Sequence, residues 1–189
     1  MAVKTTLLEP VAANGTVVLG ASGDTISIPS GVTLANSGTA TGFGGGVNTP
    51  AFSAERSGAQ TISDATRTTI LFNNEFYDSS SAYDTSTGKF TPQTAGKYFI
   101  TANIGLDAQS DNNYNWGFIE LYKNAALVAE SQQDDRSAGD ARTRTATISC
   151  VVDMNGSSDF VLIQGYISVA SGSPQILDTS TFSGFKIIE

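Results

Sequence analysis

Carboxylates are the side chains of this sequence best suited to chemistry, and they occur in two clusters. Asp134, Asp135 and Asp140 lie in a polar, glycine-containing stretch that predicts a loop, and Asp107 lies four residues before Asp111. Loops at the end of a sheet can supply the oxygen ligands that calcium needs, but the spacing of an EF-hand is absent. We therefore favour solvated loops, with a calcium site as the alternative, and nothing supports the carboxylate pair of a glycosidase.

Nucleophilic and metal chemistry have few side chains to use in this chain. The 189 residues contain no histidine, which excludes Ser-His-Asp and Cys-His catalysis and histidine metal ligands. The single cysteine, Cys150, cannot form an intrachain disulfide and has the same parity as Ile148 and Val152. A buried core thiol is therefore the favoured interpretation, with a nucleophile as the alternative. We expect no enzyme activity and no cofactor.

Residues 110–116 have a composition suited to recognition. They combine the only tryptophan, Trp116, with a tyrosine and several amides, which offers a flat apolar surface beside hydrogen-bonding groups. The alternative for Trp116 is that it begins a strand over residues 116–121 and packs in the core, and Tyr114 has the same two possibilities. With the acidic loop, this segment supplies the candidate receptor contacts, namely Asn112, Asn113, Tyr114, Asn115, Asp134 and Asp135.

The net charge of the chain limits its partners. A charge of −8 and a pI near 4.4 do not fit the clustered Lys and Arg of a nucleic-acid-binding surface, nor do they favour an anionic membrane. The N-terminus has no apolar core of signal-peptide length, and no stretch approaches the length of a membrane-spanning helix. We therefore expect synthesis in a cytoplasm without an export signal, no membrane insertion and no bound nucleic acid.

Alternating hydrophobicity predicts that residues 50–189 are all-β. In residues 98–106 every second side chain is apolar, and residues 145–154 follow the same two-residue period. This pattern predicts strands with one face toward a core. The alternating apolar positions are Tyr98, Ile100, Ala102, Ile104 and Leu106 in the first strand and Ala146, Ile148, Cys150, Val152 and Met154 in the second.

Two segments are apolar at both parities and predict a contact between subunits. They are residues 160–163 and, apart from Lys186, residues 185–188. A strand that is apolar on both faces is expected to be covered on both faces, and a second copy of the chain can supply the second cover. A monomer with an unusually apolar sheet is the alternative. The candidate residues of a trimer interface are Phe99, Thr101, Val161, Ile163, Phe185 and Ile187.

Residues 1–49 differ in composition from the rest. They contain short β-like runs between Gly, Ser, Pro and Asn turns, and they end in a glycine-rich linker over residues 39–46. Their apolar surface is too small for a core of their own. We expect an attachment arm or an intertwined stalk, with docking residues Leu7, Leu8, Val17, Val18, Leu19, Ile26 and Ile28.

Residues 50–189 resemble a known family in the order of several short motifs. The most informative run is Phe90-Thr-Pro-Gln-Thr-Ala-Gly-Lys-Tyr-Phe-Ile100, and the chain closes with Phe182-Ser-Gly-Phe-Lys-Ile-Ile188. Pro50-Ala-Phe-Ser-Ala54, Phe72-Asn73 ahead of Tyr83-Asp84, and Leu121-Tyr-Lys-Asn124 occur in the matching order. These segments resemble the globular head of complement subcomponent q, a relative of the tumour-necrosis-factor jelly rolls. The resemblance implies a ten-stranded sandwich of two sheets that forms a homotrimer.

The arm suggests where such a head would work. Its Gly23-Asp-Thr-Ile-Ser-Ile-Pro-Ser-Gly31 stretch is similar to segments of phage virion proteins. We therefore expect a non-enzymatic homotrimer of a tailed phage, assembled in the host cytoplasm as part of the virion. Its arm would bind other virion proteins, and its head would bind a host surface glycan or protein. The alternatives are a capsid decoration or cement protein, a neck or tail structural trimer, or a secreted lectin.

Deletion of residues 1–46 tests this division of the chain. Because the arm lacks a core of its own, the truncated protein is expected to remain a folded trimer but to be absent from assembled particles. Thermal unfolding and light scattering check folding and mass, and particle composition checks incorporation. A truncated chain that does not fold would contradict the division at residue 49.

Overall fold

The computed structural model of the chain describes residues 21–33, 35, 37, 47–135 and 141–187. The chain divides into two units, Met1–Gly44 and Gly45–Glu189. In the described part of the first unit, backbone hydrogen bonds close two turns: Asp24 N donates to Ala21 O at 3.0 Å and Val32 N to Pro29 O at 3.2 Å. Ile26 and Ile28 are exposed there. The other predicted docking residues, Leu7, Leu8, Val17, Val18 and Leu19, lie outside the described residues.

The described residues of the second unit form strands and no helix. The thirteen strands are β1 (Ala51–Glu55), β2 (Gln60–Thr61), β3 (Thr68–Thr69), β4 (Asn74–Asp78), β5 (Tyr83–Asp84), β6 (Lys89–Phe90), β7 (Ala95–Asp107), β8 (Tyr114–Lys123), β9 (Ala126–Asp134), β10 (Thr143–Asn155), β11 (Val161–Val169), β12 (Gln175–Ile176) and β13 (Thr181–Lys186). Nothing in this described part is a helix long and apolar enough to cross a membrane.

The strands form two antiparallel sheets that enclose one core, which confirms the predicted jelly-roll sandwich. Sheet A has the order β2-β12-β7-β13-β1-β4, with β10 on the other side of β7. Sheet B has the order β5-β6-β11-β8-β9, with β3 also paired to β11. The described residues form thirteen strands where ten were expected, and five of the thirteen have only two residues. The first and last strands, β1 and β13, pair with each other along their length.

Strand β7 lies at the centre of sheet A. It pairs with β10 from Ala95 to Asp107, and on its other side it pairs with β13 and β12. Its alternate side chains from Tyr98 to Leu106 are almost completely buried, as the sequence pattern predicts. The inward side chains of β10 are buried with the same period, from Ala146 to Met154, except that Cys150 is half-buried.

An aromatic cluster joins the two sheets inside the core. The ring of Phe52 stacks on those of Tyr83 and Phe90, with centroids 4.9 and 4.4 Å apart, and meets the edge of Phe182 at 4.9 Å. Phe182 also contacts Phe72 at 5.3 Å. Because these rings come from β1, β13, sheet B and the segment between β3 and β4, they hold the opening and closing strands against the opposite sheet.

Strand β11 corrects one expectation from the sequence. Val161 and Ile163 were predicted at a trimer interface, but both are fully buried in the core of the single chain. Leu162, on the other face of β11, pairs with Tyr122 and is only 8% exposed. The prediction was wrong because other side chains of the same chain cover Val161, Leu162 and Ile163 on both faces of β11. These apolar residues therefore require no second subunit.

Phe182→Ala tests the aromatic cluster. Removal of this fully buried ring should lower the free energy of unfolding by about 3 to 5 kcal/mol, because it leaves a cavity between β13 and the rings of β1 and sheet B. Denaturant unfolding measures the loss. Phe160→Ala is the matched control, since that half-buried ring packs under Lys89 at 4.2 Å and its removal should cost much less. Equal losses in the two variants would contradict this account of the core.

Candidate functional site

The outward face of sheet A carries an apolar row across four strands. Val151 of β10 lies opposite Phe99 of β7, which lies opposite Phe185 of β13, which lies opposite Ala51 of β1. The rings of Phe99 and Phe185 have centroids 5.5 Å apart. Val151 is 52% exposed and Phe185 37%. An outward strip of this kind remains in contact with solvent unless another molecule covers it.

The next register position on the same face carries hydroxyl groups. Its members are Ser149, Thr101, Ser183, Ser53 and Tyr77, in order from β10 to β4. Two bonds of 2.9 Å join Ser53 to Ser183 and Thr101 to Ser149 through their side-chain oxygens. The four Ser and Thr hydroxyls therefore satisfy one another within the sheet, and a covering molecule could bury them without leaving them unpaired.

Two further pairs of exposed apolar side chains lie on opposite flanks of the sandwich. Phe76 and Tyr77 are on β4, an edge of sheet A, and Leu127 and Val128 are on β9, an edge of sheet B. Their exposed fractions are 60% and 54%, and 50% and 39%. The flanks are opposite because β9 lies beside β10, at the other edge of sheet A from β4.

All three apolar groups lie at one level of the sandwich. Phe90 marks this level, since its ring is 4.4 Å from that of Phe52 and 5.7 Å from that of Tyr98, next to Phe99. Phe52 is the neighbour of Ser53, which pairs with Tyr77. Phe90 pairs with Val161, and Val161 pairs with Lys123 of β8. Lys123 in turn pairs with Ala126, the neighbour of Leu127 on β9. This level lies at the end of the sandwich where the chain enters at Pro50. Pro50 O accepts a hydrogen bond from the backbone N–H of Lys186, the neighbour of Phe185.

Four predicted interface residues have the parity of this outward face. Phe99 and Thr101 are half-buried on β7, Phe185 is exposed on β13, and Ile187 donates its backbone N–H to Lys97 O at 2.8 Å. Sequence reasoning missed Val151, Phe76, Tyr77, Leu127 and Val128. Val151 had a usable signal, because it lies in the parity opposite to the predicted core residues of β10.

The opposite end of the sandwich brings together the two loops predicted to bind a receptor. Strand β7 ends there at Asp107, whose carboxylate is fully buried. It accepts hydrogen bonds from Arg142 Nε at 3.0 Å, Gln175 Nε2 at 2.7 Å and Gln109 N at 2.9 Å. Burial alone would raise the pKa of Asp107, but these donors and the charge of Arg142 together hold that pKa below its ordinary value.

Three of the six predicted receptor contacts have structural roles instead. Asn113 is 5% exposed, and its amide donates to Ala108 O and Ser171 O, both at 2.8 Å. Asp135, also 5% exposed, accepts from Arg144 Nη2 at 2.7 Å and Ala141 N at 3.0 Å. The prediction that Asn113 and Asp135 contact a receptor was therefore wrong. Asn113 hydrogen-bonds to backbone carbonyls, and Asp135 hydrogen-bonds to a backbone N–H and pairs with Arg144.

Tyr114 is the third of these residues. It is 1% exposed, and its hydroxyl donates to Gln133 O at 3.4 Å. Burial raises its pKa well above the usual range. Of the remaining candidates, Asn112 and Asp134 are exposed and Asn115 is half-buried.

A shallow polar cleft of about 410 Å³ lies at this distal end. Its walls come from the β7–β8 loop and the β11–β12 loop, and they include Gln109, Ser110, Asn113, Ser171 and Ser173. Gln109 Nε2 spans the two loops by donating to Ser173 O at 2.6 Å. The arrangement offers amides and hydroxyls. Across the described ranges, no three His, Cys, Asp or Glu side chains come together as metal ligands.

The outward face of sheet B carries an aromatic cluster that sequence reasoning also missed. Trp116 lies there with Phe118 and Tyr166, at centroid distances between 4.6 and 5.4 Å. Trp116 therefore lies neither in the sandwich core nor in the distal loop, which were its two predicted positions. The alternating pattern of residues 114–121 was the available signal, because Trp116 and Phe118 have the parity opposite to Ile119 and Leu121.

Cys150 lies at the core, where the sequence pattern placed it. Its thiol is half-buried and packs against the buried cluster, and burial raises its pKa. A thiol with a raised pKa is a weak nucleophile at neutral pH.

Comparison with known families agrees with this architecture. The model of the C1q domain family matches residues 51–187, so the chain belongs to the C1q domain family. The predicted resemblance is thereby confirmed. No curated protein matches the sequence.

Solved structures show the same fold at low sequence identity. The globular domain of zebrafish complement 1qA protein is 17% identical, with a TM-score of 0.56 over 74% of this chain and 98% of that one. The Eiger TNF of S. frugiperda is 13% identical, with a TM-score of 0.54 over 74% and 92%. Murine APRIL is 6% identical, with a TM-score of 0.51 over 72% and 98%. These similarities show a fold shared by C1q-type and TNF-type domains.

Asp107→Asn tests the distal carboxylate network. A carboxyl group whose pKa is lower in the folded chain than in the unfolded chain stabilises the fold at pH values above the ordinary pKa of the group. This stabilisation is lost as the pH falls through the lowered pKa. The variant should therefore lose about 2 kcal/mol of stability at pH 7 and less at pH 3, which is below the ordinary pKa. Denaturant unfolding at both pH values measures the difference, with exposed Asp178→Asn as control. A pH-independent difference would contradict this role.

Proposed function

We propose that this chain is a homotrimeric, non-enzymatic binding module of a tailed-phage virion, a fibre or tail knob. Residues 1–49 would attach it to the particle, and the sandwich would bind a host surface receptor. The observation that carries the assembly is the placement of three exposed apolar groups at one level of the sandwich, one on the face of sheet A and two on opposite flanks. Membership of the C1q domain family supports it.

A cyclic trimer accounts for all three groups. Each contact in such a ring is heterologous, so every copy needs two different surfaces on opposite sides. Phe76 and Tyr77 provide one flank, and Leu127 and Val128 provide the other. The row of Val151, Phe99 and Phe185 would then face the threefold axis. A dimer with a twofold axis would cover one of these groups and leave the others in solvent.

The receptor-binding part of the proposal rests on the geometry of the free end. Assembly would use the end at which Pro50 enters, so the loops around Asp107 and Asp135 would point away from the particle. Binding residues concentrate on loops held by a rigid scaffold. Three copies of a weak site on one rigid trimer also multiply into strong attachment to a surface that repeats its receptor.

A structural role in the particle is the second candidate function. In this alternative the trimer would be a capsid decoration, cement, neck or tail component, and its partners would be other virion proteins. The burial of Asn113, Tyr114 and Asp135 favours it, because three predicted receptor contacts are thereby removed from the surface. Both roles use the same trimer, so they differ in whether the head contacts a cell.

Val151→Glu tests the trimer. Because three copies of Val151 would approach the axis, an unpaired charge at each should prevent association, and the protein should have the mass of a monomer at micromolar concentration. Light scattering measures the mass. Val47→Glu is the matched control, since Val47 is 67% exposed and lies outside the strands. A wild-type monomer, or a Val151→Glu trimer, would contradict the proposed assembly.

A competition experiment separates the receptor-binding role from the structural one. The purified full-length chain should block adsorption of particles that carry it, because the free trimer occupies the same receptor. Adsorption is counted as particles left unbound after mixing with host cells. If a folded trimer in large excess leaves adsorption unchanged, the structural role replaces receptor binding.

A further inference from the structure

The aromatic cluster on the outward face of sheet B is not needed to build the sandwich. Phe118 of β8 lies opposite Tyr166 of β11, and their rings stack within 5° of parallel at 4.6 Å. The Trp116 ring contacts both, at 5.4 and 5.0 Å. All three side chains have the parity that faces away from the core, and none belongs to the buried core cluster.

An ion pair between a buried carboxylate and a solvent-exposed arginine holds this cluster in place. Glu120 is 1% exposed although it lies on the outward face, and both of its oxygens accept from Arg67, from Nε at 2.9 Å and from Nη2 at 3.2 Å. The guanidinium carbon of Arg67 lies 4.9 Å from the centre of the Phe118 ring. Tyr122 also donates its hydroxyl to Glu120 at 3.4 Å. The rings are therefore positioned before any ligand arrives, which lowers the entropic cost of binding.

Polar side chains surround the rings on the same face. Gln132 and Asp134 of β9 lie opposite Phe118 and Trp116, and Ser168 of β11 lies opposite Trp116 on the other side. Gln164 lies opposite Glu120, and Glu130 lies opposite Glu120 on β9. The surface thus combines the partly exposed rings of Trp116 and Tyr166 with amide, hydroxyl and carboxylate groups, and Phe118, only 4% exposed, supports these two rings.

We infer that this face, which we call the sheet B platform (Trp116, Phe118 and Tyr166 with Gln132 and Gln164), binds a neutral saccharide. The inference names the ligand class of the proposed receptor and so rests on the proposed function. Pyranose rings present an apolar C–H face that packs on aromatic rings, while their hydroxyls exchange hydrogen bonds with amides and carboxylates. The platform offers both kinds of group on one rigid sheet.

The charges around the platform select against other ligands. The charge of Glu120 is balanced by Arg67, but Glu130 and Asp134 also lie on this face, so their carboxylates disfavour an anionic sugar or phosphate. The guanidinium of Arg67 already covers Phe118, so neither a cation nor a sugar ring packs there, and a ligand would contact Trp116 and Tyr166 instead. A protein partner would need about 800 Å² on each side, whereas the exposed aromatic surface here is confined to the partly buried rings of Trp116 and Tyr166.

The only tryptophan of the chain reports directly on this site. Titration of the full-length protein with lactose, N-acetyllactosamine, cellobiose and maltotriose should give, for at least one of them, a saturable change in Trp116 emission. Tyr166→Ala should weaken that binding at least tenfold, whereas Tyr166→Phe, which keeps the ring, should stay within threefold of wild type. Calorimetry provides a second readout that does not depend on the tryptophan.

Two further variants make the experiment decisive. Gln132→Ala changes an exposed side chain, so it tests the platform even if Tyr166→Ala fails to fold, and it should weaken binding severalfold. Gln109→Ala changes the distal cleft and should leave saccharide binding unchanged. Loss of binding in Gln109→Ala, with Gln132→Ala unaffected, would overturn the inference in favour of the cleft.

The remaining outcomes distinguish the ligand class from the proposed function. If no neutral saccharide binds by either readout while the protein still blocks particle adsorption, the saccharide inference is wrong and receptor binding stands. If 3′-sialyllactose binds more tightly than lactose, the neutral class is wrong. If saccharides bind at the platform but adsorption is unaffected, the platform stands and the adsorption role fails.

Discussion

Pairing along both sides of strand β7 is the constraint on which the rest of the structure depends. The backbone of β7 is hydrogen-bonded to β10 on one side and to β13 and β12 on the other, so its side chains can point only inward or outward. Tyr98 and Ile100 enter the core, and Phe99 and Thr101 face out. Because strand register extends this alternation to the neighbouring strands, it also creates the apolar row from Val151 to Ala51 and the hydroxyl row beside it.

The polar groups of the distal end serve the fold before they serve any ligand. Asp107 and Asp135 are buried carboxylates, and each is paired with an arginine whose side chain reaches solvent. Removing the arginine of such a pair leaves the carboxylate buried and unpaired, which is costly. The loops of this end are therefore held in a defined shape, and what a ligand would meet there is the polar cleft beside Gln109 rather than the carboxylates themselves.

Assembly and recognition are assigned to different surfaces in the proposed function. The apolar groups around Phe99, Tyr77 and Leu127 lie at the end where Pro50 enters, whereas the distal cleft and the sheet B platform lie elsewhere on the same rigid sandwich. This separation matters physically because hydrophobic contacts between copies need area, whereas a small ligand needs a few precisely placed groups. One antiparallel sandwich supplies both kinds of surface, because its outward faces, its edges and its end loops carry different side chains.

The sequence by itself determined the all-β class and the inward residues of β7 and β10, because a two-residue period states directly which side chains share a face. The family followed from the resemblance of its ordered motifs. The sequence misplaced Val161 and Ile163 because residues 160–163 are apolar at both parities, although β11 as a whole alternates from Val161 to Val169. It also misplaced Asn113, whose partner Ser171 is 58 residues away along the chain, and it left open the position of Trp116. Only the tertiary structure decided these cases, because burial of a polar or aromatic side chain depends on groups brought beside it by distant strands.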